Sequence, residues 1–140
     1  MDIDRFKHQH VDILQRIDAL RELAHGGIEK NALLIAEQVH GLGTVVKLHL
    51  AIEDRILYPA VRQARDARIA AMGESYQQEM KGIANACIRF VAKWSDPGRV
   101  TDEPEVFRSE ANTVLRNVYQ RMQRENREFY PAIEQMQATA

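Results

Sequence analysis

The sequence has one cysteine, no long apolar run and no excess of either charge. Because Cys87 cannot form an internal disulfide, we expect a reducing compartment and predict a cytoplasmic protein. With 19 basic and 20 acidic side chains, the net charge of −1 gives no electrostatic reason to bind nucleic acid or an anionic membrane surface. No apolar stretch is long enough to span a bilayer. The amino-terminal MDIDRFKHQH lacks the apolar core of a signal peptide, so we expect none.

Two further patterns are missing. Alternation of apolar and polar residues over a useful length does not occur, which argues against a β-sheet protein. No nucleophile–base pairing, phosphate-binding loop or cofactor fingerprint is visible, so we expect a protein that is not an enzyme. A chain of 140 residues fits one domain, residues 1–140, and can bury a substantial core.

Four long amphipathic helices are predicted, because apolar residues recur at steps of three and four. The first begins at Asp2 or Asp4 and ends at Gly26-Gly27, and the second is capped by Asn31 and bends at Pro59. A third helix, the surface loop SDPGRVTDEP and a fourth helix starting at Pro104 follow. The residues predicted to face inward are Ile3, Phe6, Ile13, Ile17, Leu20 and Ala24; Leu42, Val45, Val46, Ile52 and Ile56; Ile69, Gly73, Tyr76, Met80, Ile83, Cys87, Phe90 and Trp94; and Phe107, Ala111, Val114, Val118 and Phe129. Short connections favour an all-α, antiparallel up-down-up-down four-helix bundle.

The bundle is predicted to be an internal duplication. The stretch LHLAIEDRILYPA (48–60) has a partial copy, QRMQRENREFYPA (120–132), with the same glutamate, arginine and Tyr-Pro-Ala ending. The first helix pair therefore resembles the second at an offset of about 70 residues. Four residues before the shared glutamate, the first copy has His49 and the second has Arg121. In the same alignment His10 pairs with Met80, so both histidines lack a counterpart.

Five polar residues are predicted to form a layer inside the apolar bundle. At about 100° per residue, His10 falls within the apolar stripe of the first helix. His49 and Glu53, four residues apart, face inward together on the second helix, and Arg121 and Glu125 do so on the fourth. Burying such groups is costly unless they are paired or bind a metal. Imidazoles and carboxylates from facing helices are the ligands of iron and manganese sites in bundle cores.

The other residues that could bind a metal are predicted to lie in solvent or in the apolar core. His8 is predicted to be solvated, since it lies about 200° from His10 around the helix. Met80 and Cys87 are interpreted as core packing rather than metal ligands, and Trp94 as the residue that closes one end of the bundle. Two pairs have the Glu-x-x-His spacing of ferritin-like sites but lie off the apolar faces; they are Glu22 with His25 and Glu37 with His40.

The chain resembles the hemerythrin-like (HHE cation-binding) family over nearly its whole length. The resemblance is carried by FKHQHVDIL, by HLAIEDRILYP and by the altered second-half segments YQQEMKGI and QRMQRENREFYP. It implies a four-helix bundle that holds a non-haem di-iron centre and binds oxygen or a related small ligand, or senses oxygen, iron or redox state. It also implies that His10, His49, Glu53 and Glu125 occupy metal-ligand positions. Met80 and Arg121 stand where the family would have further histidines.

Arg121 leaves two hypotheses open. A guanidinium cannot ligate a metal, but it can donate hydrogen bonds to Glu53 or Glu125 and so replace the charge of a second metal. In the first hypothesis the protein keeps one metal, such as iron, on His10, His49, Glu53 and in some arrangements Glu125. In the second the site is metal-free, an Arg–carboxylate network stabilises the bundle, and the protein acts through a protein partner or as a homodimer.

Overall fold

The computed structural model describes residues 1–138 and is built from helices. These are α1 (Ile3–His25), α2 (Ala32–Ile52), α3 (Tyr58–Arg62), α4 (Ala67–Trp94), α5 (Pro97–Asp102), α6 (Pro104–Arg124) and α7 (Tyr130–Ala138). A first π-helical turn (Glu53–Leu57) joins α2 to α3, and a second (Glu125–Phe129) joins α6 to α7. Four long arms result: α1, α2 with α3, α4, and α6 with α7. The predicted all-α bundle is confirmed.

The arms pack in the order of the chain. Helix α1 contacts α2 and α6, and α4 contacts the same two helices from the other side. Each arm therefore lies beside the arms that precede and follow it, as short connections between antiparallel helices require. None of the described helices is long and apolar enough to cross a membrane.

The core consists of two apolar clusters with a polar layer between them. On α1, Phe6 belongs to one cluster and Ile13 to the other, and His10 lies between them. On the last arm, Val118 and Phe129 flank the layer in the same way. Each of these apolar side chains is at most 2% exposed, so the polar layer is sealed on both sides by well-packed core.

Most of the predicted inward residues are buried. Six of them are only partly buried but still pack against the clusters: Ala24, Val45, Ile52, Ile69, Ile83 and Val114. The prediction for Ile56 was wrong, since this side chain is 43% exposed. The π-helical turn at Glu53–Leu57 explains the error. It inserts an extra residue into the helical repeat, so that Leu57 and Tyr58 face inward instead.

The two Tyr-Pro sequences follow the π-helical turns directly. We predicted a bend at Pro59; the structure has the π-helical turn before this residue and continues as helix to Arg62. Pro131 has the same position after the second turn. Proline cannot donate to the preceding turn and crowds its carbonyl groups, and the wider π-helical turn accommodates both effects.

Two boundary predictions also need correction. The segment SDPGRVTDEP contains helix α5, because the Asp96 carboxylate accepts a hydrogen bond from the Gly98 N–H and Pro97 occupies the first turn. Asn31 precedes α2 but makes no capping hydrogen bond; its side-chain amide donates to the Leu23 carbonyl instead. It thereby ties the start of α2 to the end of α1.

A pair of alanine substitutions tests the close contact between α2 and α4. A Cβ added at Gly43 would lie 2.6 Å from Val91 Cγ1, whereas one added at Gly82 would meet nothing within 4 Å. We expect Gly82→Ala to stabilise the protein by up to about 1 kcal/mol, because alanine is the better helix former. Gly43→Ala should destabilise it by about 1 kcal/mol or more, because overpacking outweighs that gain. Urea unfolding would measure both, and equal effects would contradict the close packing.

Candidate metal centre

Four side chains from three arms of the bundle converge in the polar layer. His10 comes from α1 and His49 from the last turn of α2, while Glu53 and Glu125 are the first residues of the two π-helical turns. All four are at most 1% exposed. Each offers one ligand atom, and these atoms lie within 4.8 Å of one another. The structure thus brings together every residue that the sequence suggested as a metal ligand.

The inner atoms of this cluster lie within hydrogen-bond distance of their neighbours. The two Nε2 atoms of His10 and His49 are 3.1 Å apart. Glu53 Oε1 lies 2.7 Å from His49 Nε2, and Glu125 Oε1 lies 3.1 Å from His10 Nε2. Neither of these buried carboxylate oxygens makes a hydrogen bond. Two nitrogens and two oxygens therefore face a common centre, and the two oxygens have no hydrogen-bond partner there.

Amide side chains orient both imidazoles. The Nδ1 atom of His10 is 2.8 Å from Asn126 Oδ1, and that of His49 is 2.6 Å from Gln9 Oε1. An amide oxygen only accepts, so each Nδ1 must carry the proton that is donated. In a neutral imidazole this makes Nε2 an acceptor that is directed at the centre. An outer hydrogen bond of this kind typically fixes the tautomer and the ring orientation of a metal-ligating histidine.

Burial dominates the protonation of the cluster. It lowers the pKa of His49 to about 4, although the Glu125 charge acts in the opposite direction. His49 is therefore a neutral imidazole at pH 7. Burial, and then repulsion from Glu125, raise the pKa of Glu53 well above its usual range, against the attraction of His10 and Arg121. A positive charge placed at the centre would favour the ionised carboxylate.

Arg121 lies at the side of the cluster and is also buried. Its Nε atom is 3.4 Å from Glu125 Oε2 and its Nη1 atom is 3.2 Å from Glu79 Oε2. The remaining Nη2 atom donates to the Tyr76 backbone carbonyl. The structure places the predicted hydrogen bond on Glu125; the contact with Glu53 is electrostatic only. Arg121 thus connects the last arm to α4.

The outer part of this network was not predicted from the sequence. The guanidinium carbons of Arg121 and Arg124 lie 4.3 and 4.9 Å from the centre of the Tyr76 ring, a cation–π arrangement. The Tyr76 hydroxyl donates to Glu128 over 2.9 Å, and Arg124 pairs with Glu79 and Glu128. Tyr76 had been interpreted only as an apolar core residue, and Glu79 gave no periodic signal because it is exposed.

Two buried tyrosines complete the surroundings of the site. The Tyr130 hydroxyl is 3.0 Å from His10 Nε2 and 3.4 Å from Glu53 Oε2. The buried hydroxyl of Tyr58, its counterpart in the repeat, makes no hydrogen bond to the four residues of the cluster. Burial and the two carboxylates raise the pKa of both phenols. Neither tyrosine was assigned to the site from the sequence, although the repeated Tyr-Pro was a signal that pointed to them.

The remaining candidates lie outside the cluster. His8 is exposed, as are the four members of the Glu-x-x-His pairs: Glu22, His25, Glu37 and His40. Met80 and Cys87 belong to the larger apolar cluster, and burial raises the pKa of the Cys87 thiol to about 11. Trp94 is fully buried, and its indole N–H donates to Glu110 over 2.6 Å.

The chain is similar to a known protein family. The family model described as "Hemerythrin HHE cation binding domain" matches residues 1–133 of the 140. No curated protein and no solved structure matches the chain. The matched range includes all four residues of the cluster and both π-helical turns.

Proposed function

This chain belongs to the hemerythrin HHE cation-binding family, and on that premise we propose that it binds one metal ion, iron by preference, in the polar layer of the bundle. His10, His49, Glu53 and Glu125 would hold the ion. A bound iron would supply a redox couple and a position for oxygen or another small ligand. The protein would then act as a sensor or binder of that ligand rather than as an enzyme, in the cytoplasm that the single cysteine predicts.

The observation that carries this proposal is the convergence of the two Nε2 atoms. Because Gln9 and Asn126 accept from both Nδ1 atoms, neutral imidazoles would point two lone pairs at each other across 3.1 Å. Two unpaired carboxylate oxygens face the same centre. Lone pairs that face one another repel unless a proton or a metal ion lies between them, and imidazole nitrogen with carboxylate oxygen is the donor set that iron and manganese accept.

Arg121 and Met80 favour one metal rather than two. Arg121 carries a permanent charge and is hydrogen-bonded to Glu125, so this side of the centre already holds a cation. A second metal beside it would be repelled strongly in the buried layer. Met80 occupies the position that pairs with His10 in the duplication and belongs to the apolar core.

A metal-free site is the second candidate, and the ion-pair network favours it. Arg121 compensates Glu125 and reaches Glu79 on α4. Burial raises the pKa of Glu53, and a proton on this carboxyl group would let it donate to His49 Nε2 over 2.7 Å, which would satisfy part of the layer without a metal. The protein would then act through a partner or as a homodimer.

Metal content distinguishes the two candidates. We expect protein purified without a histidine tag and loaded anaerobically with ferrous iron to retain about one metal ion per chain after desalting. His49→Ala should retain only traces, because it removes a central ligand. His40→Ala is the matched control: it removes an exposed histidine from the same helix and should retain the parent's metal content. Elemental analysis and circular dichroism would measure metal and fold.

The metal contents of the parent and of His49→Ala decide between a metal site and a metal-free network. Only traces of metal in the parent would favour the metal-free network. Full metal content in folded His49→Ala would show that the ion binds elsewhere. Metal should also raise the melting temperature of the parent and of His40→Ala, but not that of His49→Ala, because only binding to the folded state stabilises it.

A further inference from the structure

The geometry points to Tyr130 as a further iron ligand, so that the ferric form of the centre has a phenolate beside its two imidazoles and two carboxylates. This inference rests on the proposed function and adds to it a ligand that was not assigned from the sequence. The Tyr130 hydroxyl is fully buried and lies 3.0 Å from His10 Nε2, the atom that faces the other ligand atoms.

The second π-helical turn places Tyr130 there. The Tyr130 N–H donates to the Glu125 carbonyl, five residues earlier. In a π-helical turn this five-residue step brings the two side chains to the same side of the helix. An ordinary α-helix would place them about 140° apart. The turn therefore directs one carboxylate and one phenol at the same centre.

The spacing of the donor atoms fits one coordination shell. Adjacent ligands of a six-coordinate ion with bonds of about 2.1 Å lie about 3.0 Å apart. The separation of Tyr130 Oη from His10 Nε2 is 3.0 Å, and that of the two Nε2 atoms is 3.1 Å. Glu125 Oε1 lies 3.1 Å from His10 Nε2. The phenol oxygen is therefore as close to His10 Nε2 as the His49 and Glu125 donor atoms are.

Charge favours the same assignment for ferric iron. A Tyr130 phenolate would add a third negative charge to those of Glu53 and Glu125, and Arg121 beside Glu125 contributes one positive charge. The ferric centre with the phenolate would therefore have the same net charge as the ferrous centre without it. The phenol proton leaves to solvent when the ferric ion binds. With ferrous iron the phenol keeps its proton and its contact with Glu53 Oε2 over 3.4 Å.

Tyr58 provides a matched control within the chain. It occupies the corresponding place after the first π-helical turn, its N–H donates to the Glu53 carbonyl, and its ring is buried. Its hydroxyl, however, makes no hydrogen bond to any residue of the cluster. Removing this hydroxyl changes the core in the same way without removing the proposed ligand.

Visible spectroscopy of iron-loaded protein tests the inference. Parent protein is loaded anaerobically with ferrous iron, oxidised with ferricyanide and desalted. We expect about one ferric ion per chain, a visible phenolate-to-iron charge-transfer band, and tyrosinate vibrations in the resonance Raman spectrum excited in that band. Tyr130→Phe should retain iron and lose both signals. Tyr58→Phe should retain all three properties.

The outcomes separate this inference from the proposed function. A parent without iron would overturn both. A parent with iron but no tyrosinate signals, or a Tyr130→Phe variant that keeps them, would overturn the role of Tyr130 alone. If Tyr130→Phe loses iron altogether, the spectra of the parent and of Tyr58→Phe decide the question. Tyrosinate signals that are present in both proteins support Tyr130 as the ligand. Signals that are present in the parent but absent from Tyr58→Phe contradict that role of Tyr130.

Discussion

Replacing Arg121 with leucine should lower the free energy of unfolding of the metal-free protein by about 3–5 kcal/mol. The side chain is 2% exposed and makes ion pairs with Glu125 and Glu79 and a hydrogen bond to the Tyr76 carbonyl. Leucine would leave the Glu125 carboxylate buried beside a centre that contains no metal. It would also remove the connection between the last arm and α4.

A second substitution tests whether the unpaired Glu125 carboxylate causes the loss of stability. Glu125→Gln in the Arg121→Leu background removes the unpaired carboxylate and should recover part of the lost stability. Arg124→Leu is the matched control, since Arg124 also pairs with Glu79 but its side chain is 49% exposed. We expect it to cost no more than about 1 kcal/mol. Urea unfolding in the presence of chelator would measure all four proteins; a nearly neutral Arg121→Leu would mean that the guanidinium does not compensate Glu125.

The inward polar residues could be predicted because they depend on helix geometry alone. Each of them lies on the apolar face of its helix, and the number of residues per turn sets the direction of that face. These residues are His10, His49, Glu53, Arg121 and Glu125. The prediction required only an uninterrupted α-helical repeat. It holds for these residues because the helices keep that repeat up to the first residue of each π-helical turn.

The errors arise where this repeat is interrupted or where a contact crosses between arms. Ile56 was predicted to face inward because a continuous α-helix was assumed, and the π-helical turn changes the phase after Glu53. Glu79 was missed because it reaches Arg121 from an exposed position on another arm. Only the packing of α4 against α6 brings these two residues together, and no periodicity within one helix indicates that packing.

Helix α5 was missed for a different reason. The segment SDPGRVTDEP was interpreted as a surface loop, whereas Asp96 caps a short helix and Pro97 occupies its first turn. The same residues favour both structures. Burial of Val100 in the larger apolar cluster decides between them, because the short helix then contributes to the core.

Restoring the two missing histidines should give the chain a second metal position. Arg121 donates to the carbonyl of Tyr76, which lies one turn before Met80 on α4, so positions 80 and 121 belong to neighbouring turns of facing arms. Met80→His adds an imidazole at the position equivalent to His10. Arg121→His removes the repelling cation and forms a His-x-x-x-Glu pair with Glu125. Four imidazoles and two carboxylates are enough donors for two irons.

We expect the double variant Met80→His, Arg121→His to bind about two irons per chain where the parent binds one. Each single variant should stay near the parent's value, since Met80→His retains the cation and Arg121→His provides one new imidazole. Met80→Leu controls for the loss of methionine packing, because an imidazole fills the apolar position less well. Iron analysis after anaerobic loading and desalting would measure all variants, with circular dichroism as the test of folding. A folded double variant that holds no more iron than the parent would mean that the two halves of the duplication are not equivalent around the polar layer, because Met80 would then not face the centre that His10 faces.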